Sequence, residues 1–85
     1  MRVLIPGALR SYTRESRVEA QGATLHELLA DLERQFPGIR FRIVDEQERL
    51  RANMRVFVDG AAVHDLARPL QPTADVCIVL ALSGG

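Results

Sequence analysis

The side chains able to do chemistry in this sequence are few and scattered. Its single cysteine, Cys77, lies inside the apolar run from Val76 to Leu82. Reactive cysteines occupy accessible, electropositive places, so a thiol within a strand reads as a small apolar residue rather than a sulfur site. With no second cysteine there is no internal disulfide, and a reducing, cytoplasmic setting is expected. His26 and His64 fall in different elements, with no cysteine or carboxylate at ligand spacing, so no metal site is expected. Asp45, Glu46 and Glu48 read as a solvated loop, not as paired catalytic carboxylates. Gly7, Gly22, Gly38 and Gly60 stand at separate turns and build no phosphate-cradling loop. What remains is the ending Ser83-Gly84-Gly85. Two residues without Cβ can enter a channel too narrow for side chains. Counted from Leu82, four extended residues reach at most about 13 to 14 Å, enough to enter a buried site while the body stays outside. Taken alone, such an ending is also open to being accidental.

Composition restricts the remaining choices. The 85 residues carry 11 basic and 11 acidic side chains and are 47% hydrophobic. That length gives one small domain, and the apolar content is too high for disorder. A balanced charge argues against a nucleic-acid binder. No apolar run approaches the roughly 20 residues of a membrane helix, and no signal peptide opens the chain, so neither nucleic acid nor membrane is an expected partner. A domain this short buries only about 60 to 65% of its unfolded surface. It has little room for a deep pocket and its supporting shell, so a partner-dependent module is expected rather than a self-sufficient enzyme. All the basic residues are arginine and lysine is absent, which leaves no side-chain amine.

The elements that must position the ending follow from local patterns. Val3 and Ile5 alternate with Arg2 and Leu4 before Pro6-Gly7, giving an opening strand. Ala8–Ser16 is a loop or helical turn, and Arg17–Gln21 a second strand. Thr24 and Glu27 have the spacing of a capping box in which Glu27 reaches back to the Thr24 amide. Leu25, Leu28, Leu29, Leu32 and Phe36 then form one helical stripe ended by Pro37-Gly38, with His26, Asp31, Glu33 and Arg34 on a solvated face. A short helical turn is expected at Ile39–Val44 and a loop at Asp45–Leu50. Met54–Val58 alternates cleanly, Asp59-Gly60 predicts a hairpin turn, and Ala61–Val63 returns. Leu66–Thr73 reads as a loop, and Val76–Leu82, apolar on both faces, as a central strand. Strands, one principal helix, then strands with the last one central predict a two-layer α+β sandwich of the β-grasp, ubiquitin-like type, with a mixed sheet.

On these residues the chain resembles the ThiS/MoaD family of ubiquitin-like sulfur carriers, which includes the small subunit of molybdopterin synthase and the thiamin-pathway carrier. The resemblance rests on the Val3-Leu4-Ile5 strand, the Thr24–Phe36 helix with its Pro37-Gly38 stop, the Val56-Phe57-Val58-Asp59-Gly60 strand and turn, and Val76–Gly85 with its two final glycines. It covers essentially the whole chain, and implies a single domain over 1–85 with a flexible Gly-Gly tail. Members often carry an Asp-Gly-Asp-like turn before the last strand, where this chain has Pro72-Thr73-Ala74-Asp75, and proline and alanine before the glycines, where it has Leu80-Ala81-Leu82-Ser83.

The resemblance implies a non-catalytic carrier with no bound cofactor. An E1-like adenylyltransferase would use ATP to adenylate the Gly85 carboxylate. A sulfur donor, either a sulfurtransferase or a desulfurase, would convert it to a covalent thiocarboxylate. A downstream synthase would accept the sulfur, and the chain could itself be the small subunit of such a sulfurtransferase. Molybdopterin- or cysteine-type pathways are favoured over the thiamin type. Gly84 and Ser83 would thread the partner's channel. If Val76 and Ile78 face the helix, then Cys77 and Val79 face the open side of the sheet, joined by Phe57, Arg55 and Leu4 as a partner-docking patch. Two other readings share the tail and fold: a ubiquitin-like modifier conjugated through Gly85, and a plain β-grasp interaction domain.

Overall fold

A leucine stripe and an alternating central strand define the two layers of the computed structural model, which describes residues 1–81. The first layer is α2 (Leu25–Gln35), preceded by a 3₁₀ turn at Gly7–Leu9 and α1 (Arg10–Thr13), and followed by α3 (Ile39–Ile43). The second layer is a five-stranded mixed sheet of β1 (Arg2–Leu4), β2 (Arg17–Glu19), β3 (Met54–Val58), β4 (Ala61–Val63) and β5 (Asp75–Leu80), in the order β2-β1-β5-β3-β4. β1 and β5 run parallel and the other neighbours are antiparallel. The strand expected to be central is central, with β1 on one side and β3 on the other.

Leu25, Leu28, Leu29 and Leu32 are fully buried against Val3, Val56, Val76 and Ile78 of the sheet's inner face. Burying each leucine stabilises the fold by roughly 1.5 to 3 kcal/mol. Thr24 is extended and its hydroxyl accepts the Glu27 amide at 3.2 Å. The reciprocal half of the expected capping box is displaced: the Glu27 carboxylate takes the Ala23 amide at 3.4 Å, not that of Thr24. The 66–70 loop runs alongside this segment, bridging to it at Thr24–Pro69. Its Arg68 and Leu66 carbonyls accept the Leu25 and His26 amides, so a loop strap satisfies the open end of α2.

Asp59 and Gly60 both have positive φ, 49° and 87°, as a type I′ hairpin turn requires. The Asp59 carboxylate also accepts the Asp75 amide at 3.0 Å, so the hairpin turn fixes where β5 begins. β5 accordingly starts at Asp75 and ends at Leu80, rather than running from Val76 to Leu82.

The helix face expected to be merely solvated carries structural carboxylates. Asp31 accepts the Gln21 amide at 2.9 Å and pairs with Arg34 and Gln35. Glu33 accepts the amides of Gly38 and Arg40 at 2.9 and 3.0 Å, capping the start of α3. The Gln21 amide, then Arg34, hold Asp31 below its ordinary 3.8, and the Gly38 and Arg40 amides hold Glu33 below its ordinary 4.5. The folded state therefore binds fewer protons than the unfolded one in the acid range, and stability rises with pH there. Their contribution is present in full above the ordinary carboxylate range and is lost as pH falls through the lowered values. Denaturant melts from pH 6 down to pH 2 should show this decline, and Asp31→Asn with Glu33→Gln should flatten it.

Candidate functional site

β5 delivers the chain's last described residues to one end of the sheet. Leu80 pairs with Met54, and the Ala81 amide donates to the Asn53 carbonyl at 2.7 Å, the last such anchor among the described residues. Ser83, Gly84 and Gly85, to which the sequence assigns threading and sulfur carriage, lie outside the described residues.

The expected docking residues come together on the outer face of the sheet. Strand register places Arg17, Leu4, Cys77, Phe57 and Ala62 in one row across all five strands. Val79 and Arg55 form the next row toward the tail. Because strand side chains alternate, this face follows from the burial of Val3, Val76, Ile78 and Val56 on the other side. Leu4 is 38% exposed, and Cys77, Phe57 and Val79 are half-buried. The α2 leucines pack on the opposite face, and the 6–10 segment borders the patch at Leu4, Cys77 and Val79. A shallow depression of about 370 Å³ is lined by Leu4, Phe57, Val76 and Cys77, with Arg2, Arg17 and Asp75 at its rim, an apolar floor edged by charges of both signs. Arg55 turns along the sheet toward the tail, donating from Nη1 to the Ala52 and Met54 carbonyls at 2.7 and 3.0 Å. Cys77 is a free, half-buried thiol whose strand neighbours in register are the apolar Leu4 and Phe57.

The other chemically capable residues do not assemble. His26 is exposed, with Nδ1 3.5 Å from Arg40 Nη2, and His64 lies beyond β4. Among the described residues no group of His, Cys, Asp and Glu could hold a metal ion. The Asp45 carboxylate caps the Gln47 and Arg49 amides, and Glu48 pairs with Arg40 at 3.0 Å, so the acidic loop is structural. Among those residues, too, no helix is long and apolar enough to cross a membrane.

One surface group escaped the sequence reading. Phe41 is 58% exposed, and Arg51 stacks on it with Cζ 4.5 Å from the ring centroid. The signal was present in Ile39 and Ile43: two buried residues four apart on a short helix turn the residue between them outward.

A helix-backed five-stranded mixed sheet of this order, with its last strand central, defines a β-grasp, ubiquitin-like domain. The sequence matches the ThiS family over residues 3–85, and the chain belongs to that family of small sulfur carriers. Among solved structures it is similar to a chain of the Amycolatopsis orientalis BexX/CysO complex, at 35% identity and TM-score 0.91, covering 99% of this chain and 98% of that one. It is also similar to Mycobacterium tuberculosis CysO, at 30% identity and TM-score 0.90, covering 95% and 98%. SAMP1 from Haloferax volcanii, 22% identical with TM-score 0.80 over 100% and 98% of the two chains, shares the fold. No curated protein sequence matched significantly.

Proposed function

We propose that the chain carries sulfur as a thiocarboxylate on Gly85. The observation that supports this most strongly is a family match that runs through the terminal glycines. In the first step an E1-like enzyme binds the domain, and the Gly85 carboxylate attacks the α-phosphorus of ATP. Pyrophosphate leaves and an acyl-adenylate forms. Sulfide, or a donor equivalent to it, then attacks the acyl carbon; the bond to the phosphate oxygen breaks, AMP leaves, and a terminal thiocarboxylate remains. A downstream synthase takes the sulfur. The chain's own residues supply docking and reach, while catalysis belongs to the partners. Similarity to the CysO chains favours a cysteine-type pathway over the molybdopterin and thiamin types.

Docking in this reading uses the outer sheet face. Phe57→Ala is expected to weaken binding of the activating enzyme by about tenfold or more, as loss of an aromatic anchor does. The stability change should stay near 1 kcal/mol, about the typical cost of a single substitution, because the ring is only half-buried. Calorimetric binding and thermal melts of the same variant separate the two effects, and equal losses in both would assign Phe57 to packing. The proposed first step is tested by ATP–pyrophosphate exchange with the E1-like enzyme encoded in the same genome. Exchange that depends on the carrier supports the reading, and exchange unchanged by its addition contradicts it.

A further inference from the structure

A second surface lies where the tail leaves the body. A groove of about 500 Å³ runs beside Leu80 and Asn53, and Phe41, Arg42 and Arg51 form its outer wall. Its arginines differ from their neighbours. Arg40 is neutralised by Glu48, and Arg34 by Asp31. Arg42 is exposed and makes no ion pair among the described residues, and no carboxylate among them lines the groove. The Arg51 guanidinium is held by its Nε, which donates to the Phe41 carbonyl at 2.7 Å, and by the ring beneath it. It is thus pre-set before any partner arrives, which lowers the entropy lost on binding.

We propose that Phe41, Arg42 and Arg51 form a second docking surface that receives an acidic segment of the enzyme processing the tail. The inference rests on the carrier reading above. The four residues after Ala81 reach at most about 13 to 14 Å. An enzyme that takes Gly85 into its active site must therefore close around Leu80 and Ala81, and so over this rim. Two uncompensated arginines there repel a basic surface and favour carboxylates, with which guanidinium groups make paired, charge-assisted hydrogen bonds. An exposed aromatic ring combined with arginine is also the composition of interface anchors. The surface continues into the outer sheet face, because Arg55 binds the carbonyl of Ala52, a groove residue. One partner can cover both.

The test is the carrier-dependent ATP–pyrophosphate exchange with the cognate E1-like enzyme, measured as a function of carrier concentration. The double variant Arg42→Glu with Arg51→Glu is compared with Arg14→Glu with Arg68→Glu, which changes net charge equally on exposed positions outside the groove. The groove variant is expected to raise KM for the carrier by about 10- to 100-fold, with kcat within about twofold and the difference from wild type shrinking as salt is added. The control should stay within about threefold in KM. Arg42→Glu alone, which disturbs no contact, should raise KM severalfold and guards against misfolding of the double variant. A groove variant that behaves like the control, or loses kcat at unchanged KM, overturns the proposal while wild-type exchange leaves the carrier reading standing. Absence of exchange with the wild-type chain overturns both.

Discussion

Gly85→Val is expected to reduce thiocarboxylate formation to below about one hundredth of the wild-type yield, a loss typical of displacing a reacting centre by ~1 Å, with the domain still folded. The argument joins reach to width. The Ala81 amide, bonded to the Asn53 carbonyl, is the last backbone anchor among the described residues, and in the proposed reading the residues beyond it enter the partner's active site. A β-branched side chain there adds an isopropyl group of three carbons and stiffens the backbone, so the carboxyl carbon no longer meets the nucleotide. Among the described residues the core ends with β5, so the substitution leaves it untouched. Gly84→Val should behave alike, whereas Ser83→Ala, which removes atoms, should be tolerated. Thiocarboxylate yield and thermal melts on the same preparations read both halves of the expectation, and an undiminished yield from Gly85→Val would contradict the threading role.

Gly22→Ala is expected to be the most damaging single-methyl change in the fold. A Cβ at Gly22 would lie 2.8 Å from the Glu27 carbonyl carbon and from Leu28 Cα, and nearer still to the Leu28 amide nitrogen. These are backbone atoms of α2, which cannot turn aside as a side chain would. Nor can the helix retreat, since Leu28 and Leu29 are fully buried against the sheet. The cost should be about 3 kcal/mol, the upper end of ordinary overpacking. For a domain of this size that lowers the melting temperature by roughly 12 to 24 °C. Gly7→Ala is the control: nothing lies within 4 Å of its added methyl, and its effect should stay within about 0.5 kcal/mol. A Gly22→Ala melt close to wild type would mean that α2 sits further from the Gly22 turn than described.

The legible parts of the fold were those where one local rule dominated. The stripe from Leu25 to Leu32, the alternation from Met54 to Val58 and the Asp59-Gly60 turn each admit one structure, and burial parity alone placed Leu4, Phe57, Cys77 and Val79 on one face. What escaped depends on contacts between distant segments. Asp31 and Glu33 look solvated in sequence because the amides they cap, at Gln21, Gly38 and Arg40, reach them only once α2 is packed. The bridge of the 66–70 loop to the chain at Thr24, and the bonds its Leu66 and Arg68 carbonyls make to α2, join segments about forty residues apart. In the 39–53 segment the helical turn was legible, but the bridge of Val44 to Leu50, the Arg51 amide's bond to the Ile43 carbonyl and the stacking of Arg51 on Phe41, ten residues away, were not. The terminal glycines were legible by residue type, and their chemistry only through family resemblance.

The most direct measurement of the central claim is intact-protein mass spectrometry of the chain after incubation with its E1-like enzyme, ATP and sulfide under reducing, non-acidic conditions. Replacing oxygen by sulfur adds about 16 Da, as does oxidation of a methionine to its sulfoxide, so fragment mapping must place the change on Gly85 rather than on Met1 or Met54. The account predicts an ATP-dependent species of that mass, confined to Gly85 and removed by alkylation or mild hydrolysis. An unmodified Gly85 in the presence of active enzyme, ATP and sulfide would contradict it.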